Sequence, residues 1–154
     1  MPVGKWKVYD ATKKYLLDGT IDLDDTANWK VAFFTDLSNC NNMGITATYG
    51  TLTDELANGG GYTTGGIALT GITLTTVGPV TTWAIADTVL VASASLVFRF
   101  AVIYKNATVN GVVKPLLCVS LLDTTPADTT IPDGVTFTLK NPTGVFDISG
   151  ADTN

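Results

Sequence analysis

Residues 58–66, Asn-Gly-Gly-Gly-Tyr-Thr-Thr-Gly-Gly, stand directly before the alternating run Ile67-Ala-Leu-Thr-Gly-Ile-Thr-Leu-Thr75. Five glycines around one aromatic open backbone angles closed to other residues, so the chain can turn sharply, anchor itself through Tyr62 and enter a strand. A glycine-rich loop can also hold a phosphate. That chemistry needs Gly-x-x-x-x-Gly-Lys-Ser/Thr, or Gly-x-Gly-x-x-Gly between a strand and a helix. Here no Lys follows the glycines, and the next segment has period 2. The loop therefore reads as architecture, with Gly61, Tyr62, Gly65 and Gly66 as structural residues and 67–75 as a strand.

From residue 67 onward apolar residues alternate or run continuously, with breaks at Gly78-Pro79, 106–111, 126–134 and 141–144. This pattern is a succession of strands. Residues 95–105 and 112–122 predict a central hairpin. In it Leu96, Phe98, Phe100, Val102 and Tyr104 share one face, and Val97, Arg99, Ala101, Ile103 and Lys105 the other. Both faces are apolar enough to be covered. Trp29-Lys-Val-Ala-Phe-Phe-Thr35 predicts an earlier strand, and residues 135–139 and 144–148 complete the set. Asp10 is the candidate N-cap of one short helix stopped by Gly19, its apolar side made by Ala11, Tyr15 and Leu16 or Leu17. Thr51 and Asp54 have capping-box spacing, which predicts a helical turn over 51–57 before the glycine-rich loop. The expected fold is mainly β: one antiparallel β-sandwich domain over 1–154, jelly-roll or Ig-like, with an N-terminal arm at 1–9 and a flexible tail at 149–154.

Charged residues make up 15% of the chain, against roughly 25% in an ordinary soluble domain. Thr70, Thr73, Thr75, Thr136 and Thr138 take water-facing strand positions without adding charge. The shortage also fits a surface that meets other chains, because interface cores are depleted of charge. A net charge of −5 and a pI near 4.4 repel phosphate backbones, and no Lys/Arg cluster overrides this locally. Nucleic acid is not an expected partner. The first residues lack an apolar signal region, and the longest apolar stretch, 96–104, is broken by Arg99 and too short to span a bilayer. Synthesis in a host cytosol with no membrane partner is the expectation. Cys40 and Cys118 have no Cys-x-x-Cys spacing and read as free thiols.

The chain has no histidine, which removes Ser-His-Asp, Cys-His and His-Glu-x-x-His sites. Asp22, Asp24 and Asp25 form the tightest acidic cluster. In an EF-hand register the required Gly falls on Ala27 and the bidentate Glu on Phe33, so the cluster reads as an acidic turn. Arg99, inside the most apolar strand, calls for a partner charge. Trp83, Tyr62 and Tyr49 are the candidate platform for a carbohydrate, and Trp83 in an alternating strand reads otherwise as a structural core residue. No catalytic residue, cofactor or metal is expected.

Several blocks carry a further signal by their order: Lys30-Val-Ala-Phe-Phe-Thr35, Gly61-Tyr-Thr-Thr-Gly-Gly66, Thr82-Trp83, Arg99-Phe-Ala-Val-Ile-Tyr-Lys105, Lys114-Pro-Leu-Leu117, Leu122-Asp123, Phe137-Thr-Leu139 and Gly144-Val-Phe146. Together they resemble a family of small virion structural proteins of tailed bacteriophages. The resemblance departs at Thr124-Thr125, where an aromatic and Gly are expected. It implies a non-enzymatic virion part at the capsid surface: a decoration or cement protein that bridges capsid subunits, with the major capsid protein or other virion proteins as partners and a homo-oligomer in the particle. A tail or neck component is the alternative within that class. A carbohydrate-binding module is the alternative outside it. Recognition is expected on the N-terminal arm and helix and on loops 39–49 and 124–133, since termini and long loops carry recognition on rigid β scaffolds. The candidate contact residues are Trp6, Tyr9, Tyr15, Leu17, Met43 and Tyr49.

Overall fold

The computed structural model describes residues 4–44, 48–123, 128–141 and 143–149. In chain order the first elements are β1 (Trp6–Val8), α1 (Asp10–Leu17), β2 (Trp29–Phe34), β3 (Ile67–Ala68), β4 (Thr73–Val77), β5 (Val80–Ala84) and β6 (Thr88–Val91). They continue with β7 (Leu96–Phe98), β8 (Phe100–Lys105), β9 (Thr108–Val109), β10 (Val112–Val113) and β11 (Leu116–Leu121). The last are β12 (Thr129–Ile131), β13 (Thr136–Leu139) and β14 (Phe146–Ser149). The fold is mainly β, and every pairing is antiparallel.

A five-stranded sheet in the order β1-β11-β8-β2-β3 divides the interior into two cores. Because side chains alternate along a strand, Val31 and Phe33 of β2 point to one side while Ala32 and Phe34 point to the other. β8 divides in the same way, Ala101 and Ile103 against Phe100, Val102 and Tyr104. A register shift between Leu116 and Cys118 lets the neighbouring residues Leu117 and Cys118 both face the first core. That core is closed by an outer leaf of smaller sheets, β14-β5-β4, β6-β13 and β7-β12, which contribute Trp83, Leu90, Phe98, Ile131 and Leu139. The second core is covered by Tyr9, Tyr15, Cys40, Met43, Tyr49 and Leu52. This is a sandwich-like arrangement with one additional covered face.

Several local expectations are corrected. Tyr9, not Asp10, stands at the helix N-cap, and no side chain caps it. The helix buries Thr12, whose hydroxyl donates to the Leu116 carbonyl at 2.6 Å, while Leu17 is 90% exposed. The turn expected over 51–57 lies earlier, as a 3-10 turn at Tyr49–Thr51. Asp54 takes φ +57, and Glu55 makes an antiparallel bridge to Phe34 of β2, with Thr35 N–H donating to the Asp54 carbonyl and Leu56 N–H to the Phe33 carbonyl. Covering the β2 edge outweighs a capping box, because each ladder bond satisfies a buried backbone group.

The run 67–75 is two strands. β3 pairs with β2 and β4 with β5, the chain bending between them at Gly71. The long strand 95–105 is likewise two, and its expected face is split. Leu96 and Phe98 pack into the first core, whereas Phe100, Val102 and Tyr104 pack into the second. Arg99 is the extra residue that shifts the phase by one, its N–H donating to Phe34 and its carbonyl accepting from Leu122. Its guanidinium is ion-paired with Asp36, the partner charge that a cation in this strand requires.

The acidic stretch folds as consecutive Asx turns, Asp22 accepting from Asp24 N–H and Asp25 from Ala27 N–H. Lys105, buried at the end of β8, ties this stretch down. Its ammonium lies 2.8 Å from the Asp25 carboxylate, 2.9 Å from the Asp25 carbonyl and 4.8 Å from the Trp29 ring centre. The bond to Lys105 holds the Asp25 carboxyl below its usual range. Lys105→Met keeps the stem and removes the charge, and a loss of about 1–2 kcal/mol in urea denaturation is expected. A loss below about 0.3 kcal/mol would place the pair among surface ion pairs of no consequence.

Candidate functional site

The glycine-rich loop is a closed knot. Gly59 and Tyr62 exchange two backbone hydrogen bonds of 2.9 Å, and Gly66 N–H donates to Thr63 at 3.0 Å. A Cβ at Gly61 would run into the Val91 carbonyl and one at Gly66 into the Val31 carbonyl, and both residues have positive φ. No other residue type fits these two contacts. Tyr62 is buried against Phe33, with ring centres 5.9 Å apart. Its hydroxyl donates to Glu55 at 2.6 Å and accepts from Phe33 N–H at 3.2 Å.

Glu55 gathers three donors: the Tyr62 hydroxyl, Gly65 N–H at 2.8 Å and the Tyr49 hydroxyl. Tyr104 donates to the Gly65 carbonyl at 2.6 Å and stacks on Tyr49 at 4.2 Å. The N–H groups of Gly59, Tyr62, Gly65 and Gly66 are thus already used inside the protein. Burial, with the Glu55 carboxylate second, drives the Tyr62 and Tyr49 hydroxyls far above their ordinary pKa. Burial likewise raises Tyr104 to about 12.

Trp83 is buried, its indole N–H donating to the Leu23 carbonyl at 3.1 Å and its ring 5.3 Å from that of Trp29. Trp83 and Tyr62 therefore offer no face to a sugar, and Tyr49 is half-buried against Tyr104 beneath Lys114. Among the described residues no three acidic or cysteine side chains gather at metal-binding range, and no helix is long and apolar enough to cross a membrane.

The expected contact residues mostly turn inward. Trp6 belongs to β1, so the expected arm is an edge strand from residue 6, and its indole N–H donates to Asn141 at 2.8 Å. Tyr9 is fully buried and donates to the Cys40 carbonyl at 2.6 Å, which corrects its reading as a contact residue. Tyr15, Met43 and Tyr49 are half-buried over the second core. Leu17 alone is widely exposed, beside a groove between α1 and β14 that Leu16, Phe146 and Ile148 also line. Residues 1–3, 45–47, 124–127 and 150–154, parts of the expected arm, loops and tail, lie outside the described residues.

The surface best suited to contact is the outer leaf. From residue 56 to 98 the only charged residue is Asp87, and this stretch builds β3 to β7. Seven of the ten exposed large hydrophobics lie on or next to the leaf's strands: Val77, Val89, Val91, Val97 and Val135, with Leu74 and Ile148 on the side that Trp83 shares. On β6 and β7 the pattern is strict, since Leu90, Leu96 and Phe98 are buried while Val89, Val91 and Val97 face out. Opposite them in register stand Thr138, Thr136 and Thr130. The leaf thus presents Val and Thr where a solvated sheet usually presents Lys and Glu. The signal was available as a run without charge, which period-2 reading passes over. No protein-family model, curated protein or solved structure matches the chain.

Proposed function

We propose that this protein is a non-enzymatic structural component of a tailed-bacteriophage virion, a decoration or cement protein that seats its outer leaf on neighbouring capsid subunits. The observation that carries the proposal is the Val/Thr outer leaf, almost without charge in a chain of net charge −5. Burying such a face is worth roughly 25 cal/mol per Å² and carries no penalty for stripping water from charges. Repeated over many copies, a modest contact becomes a large stabilisation of the shell. The ordered sequence blocks that resemble virion proteins point to the same class.

Particles carrying the chain are expected to withstand heat and low salt better than particles lacking it. Val91→Glu places a charge on the leaf without touching the core, and particle binding is expected to fall at least about tenfold, or 1.4 kcal/mol. Equal robustness of particles with and without the chain would end the cement reading. Copy number separates the two virion locations, hundreds per particle for a capsid part and a few dozen or fewer for a tail or neck part.

A further inference from the structure

Among the described residues the two larger sheets leave four strand edges open: β1, β3, β4 and β14. Three carry a feature that discourages further pairing. β1 holds Lys7, β3 is two residues long, and β14 holds Asp147. β4, Thr-Leu-Thr-Thr-Val, has neither charge nor proline nor register shift, and all five residues are exposed, Val77 at 79%. An edge of this kind is a template for one more strand.

We propose that β4 pairs antiparallel with β4 of a second copy, giving a two-fold dimer with one sheet continuous across both chains. The hairpin geometry sets which backbone groups of β4 face outward. Gly78 (φ +59) and Pro79 form a two-residue turn closed by the Val77–Val80 pair, as in a type II′ hairpin. Thr73, Thr75 and Val77 therefore bond to β5, and Leu74 and Thr76 aim their backbone groups outward. The short contact between the Thr76 and Thr81 hydroxyls, 2.9 Å, fits the closer spacing of a pair that is not backbone-bonded.

With Thr75 on the two-fold axis, Leu74 and Thr76 of one chain meet Thr76 and Leu74 of the other through roughly four N–H···O bonds. Thr73 then meets Val77 of the second copy, an acceptable cross-strand pair. Self-pairing normally sets like charges against each other, and this strand has none. The one charge on the three strands of this sheet, Asp147, lies two strands away on each side. The two copies of it are about 24 Å apart at 4.8 Å per strand, beyond the Debye length.

This pairing deepens the outer-leaf reading by naming a second copy as one partner of that leaf. Sedimentation equilibrium of the whole chain is expected to show a monomer–dimer equilibrium that moves toward dimer with concentration. Thr75→Lys and Thr75→Glu each set like charges against each other at the axis, and each should weaken the dimer at least tenfold. An equimolar mixture of the two should regain it, because only a two-fold register centred on residue 75 sets the opposite charges face to face. Val113→Lys, an exposed charge on the separate β9–β10 hairpin, should dimerise as the natural chain does, and circular dichroism should report one fold for all variants. A natural chain that stays monomeric at every accessible concentration overturns the proposal, as does a mixture that fails to regain the dimer. Particle binding by a monomeric chain would sink the pairing and spare the virion reading. A dimer that ignores particles would do the reverse.

Discussion

Tyr62→Ala is expected to destabilise the protein by about 4 kcal/mol, within the range for removal of a large buried aromatic. The ring packs against Phe33, and the loop backbone that carries it is held in place by the close contacts of Gly61 with Val91 and Gly66 with Val31, which oppose collapse of the loop into the gap. The hydroxyl is one of three donors to Glu55, so its removal also leaves a half-buried carboxylate under-bonded. Tyr62→Phe isolates that second effect and should lose about 1–3 kcal/mol. Urea denaturation of both variants separates ring from hydroxyl. A Tyr62→Ala loss below about 1 kcal/mol would mean that the glycine-rich loop is not anchored through this residue.

Alkaline pH should unfold the protein cooperatively. Burial is the main reason that Tyr9 and Tyr62 resist ionisation, with the Cys40 and Cys118 thiols adding to it at Tyr9 and Glu55 at Tyr62. Both hydroxyls sit far above the ordinary tyrosine value of 10.0 when the protein is folded. In the unfolded chain they titrate near 10, so above that pH the unfolded state holds fewer protons than the native one. Stability then falls as pH rises. The contribution of each is complete below pH 10 and is lost progressively up to its folded value, with a slope of up to about 1.4 kcal/mol per pH unit. The Cys40 thiol, pushed up to about 11 by burial, acts in the same direction. With a total stability of roughly 5–15 kcal/mol, unfolding is expected between about pH 11 and 13. Tyrosinate absorbance and circular dichroism should change together. Ionisation of Tyr9 and Tyr62 near pH 10 in a protein that keeps its dichroism would contradict their burial.

Local chemistry was legible wherever one short segment decides its own conformation. The mainly-β class followed from period 2, the stop of α1 from Gly19, and the architectural role of residues 58–66 from the missing Lys and the strand that follows. The inward role of Trp83 followed from its alternation. The contact residues were not legible in the same way. Tyr9 and Trp6 look like members of an N-terminal arm, yet β1 is captured by β11 and Tyr9 is drawn beneath the chain at Cys40. Tertiary hydrogen bonds made that choice, and no property of residues 1–9 announces a partner more than a hundred positions away.

What the sequence determined by itself is the backbone period, the turn chemistry and the scarcity of charge, because each depends on neighbouring residues alone. The tertiary structure decided which apolar face is inside. One extra residue at Arg99 moves Phe100, Val102 and Tyr104 to the opposite core from Leu96 and Phe98. Pairing of residues 54–56 with β2 overrides a local helix signal, and the division of 67–75 into two strands leaves β4 as an open, uncharged edge. These outcomes rest on non-local backbone pairing, where a shift of one residue exchanges the two faces of a strand while its alternation stays the same.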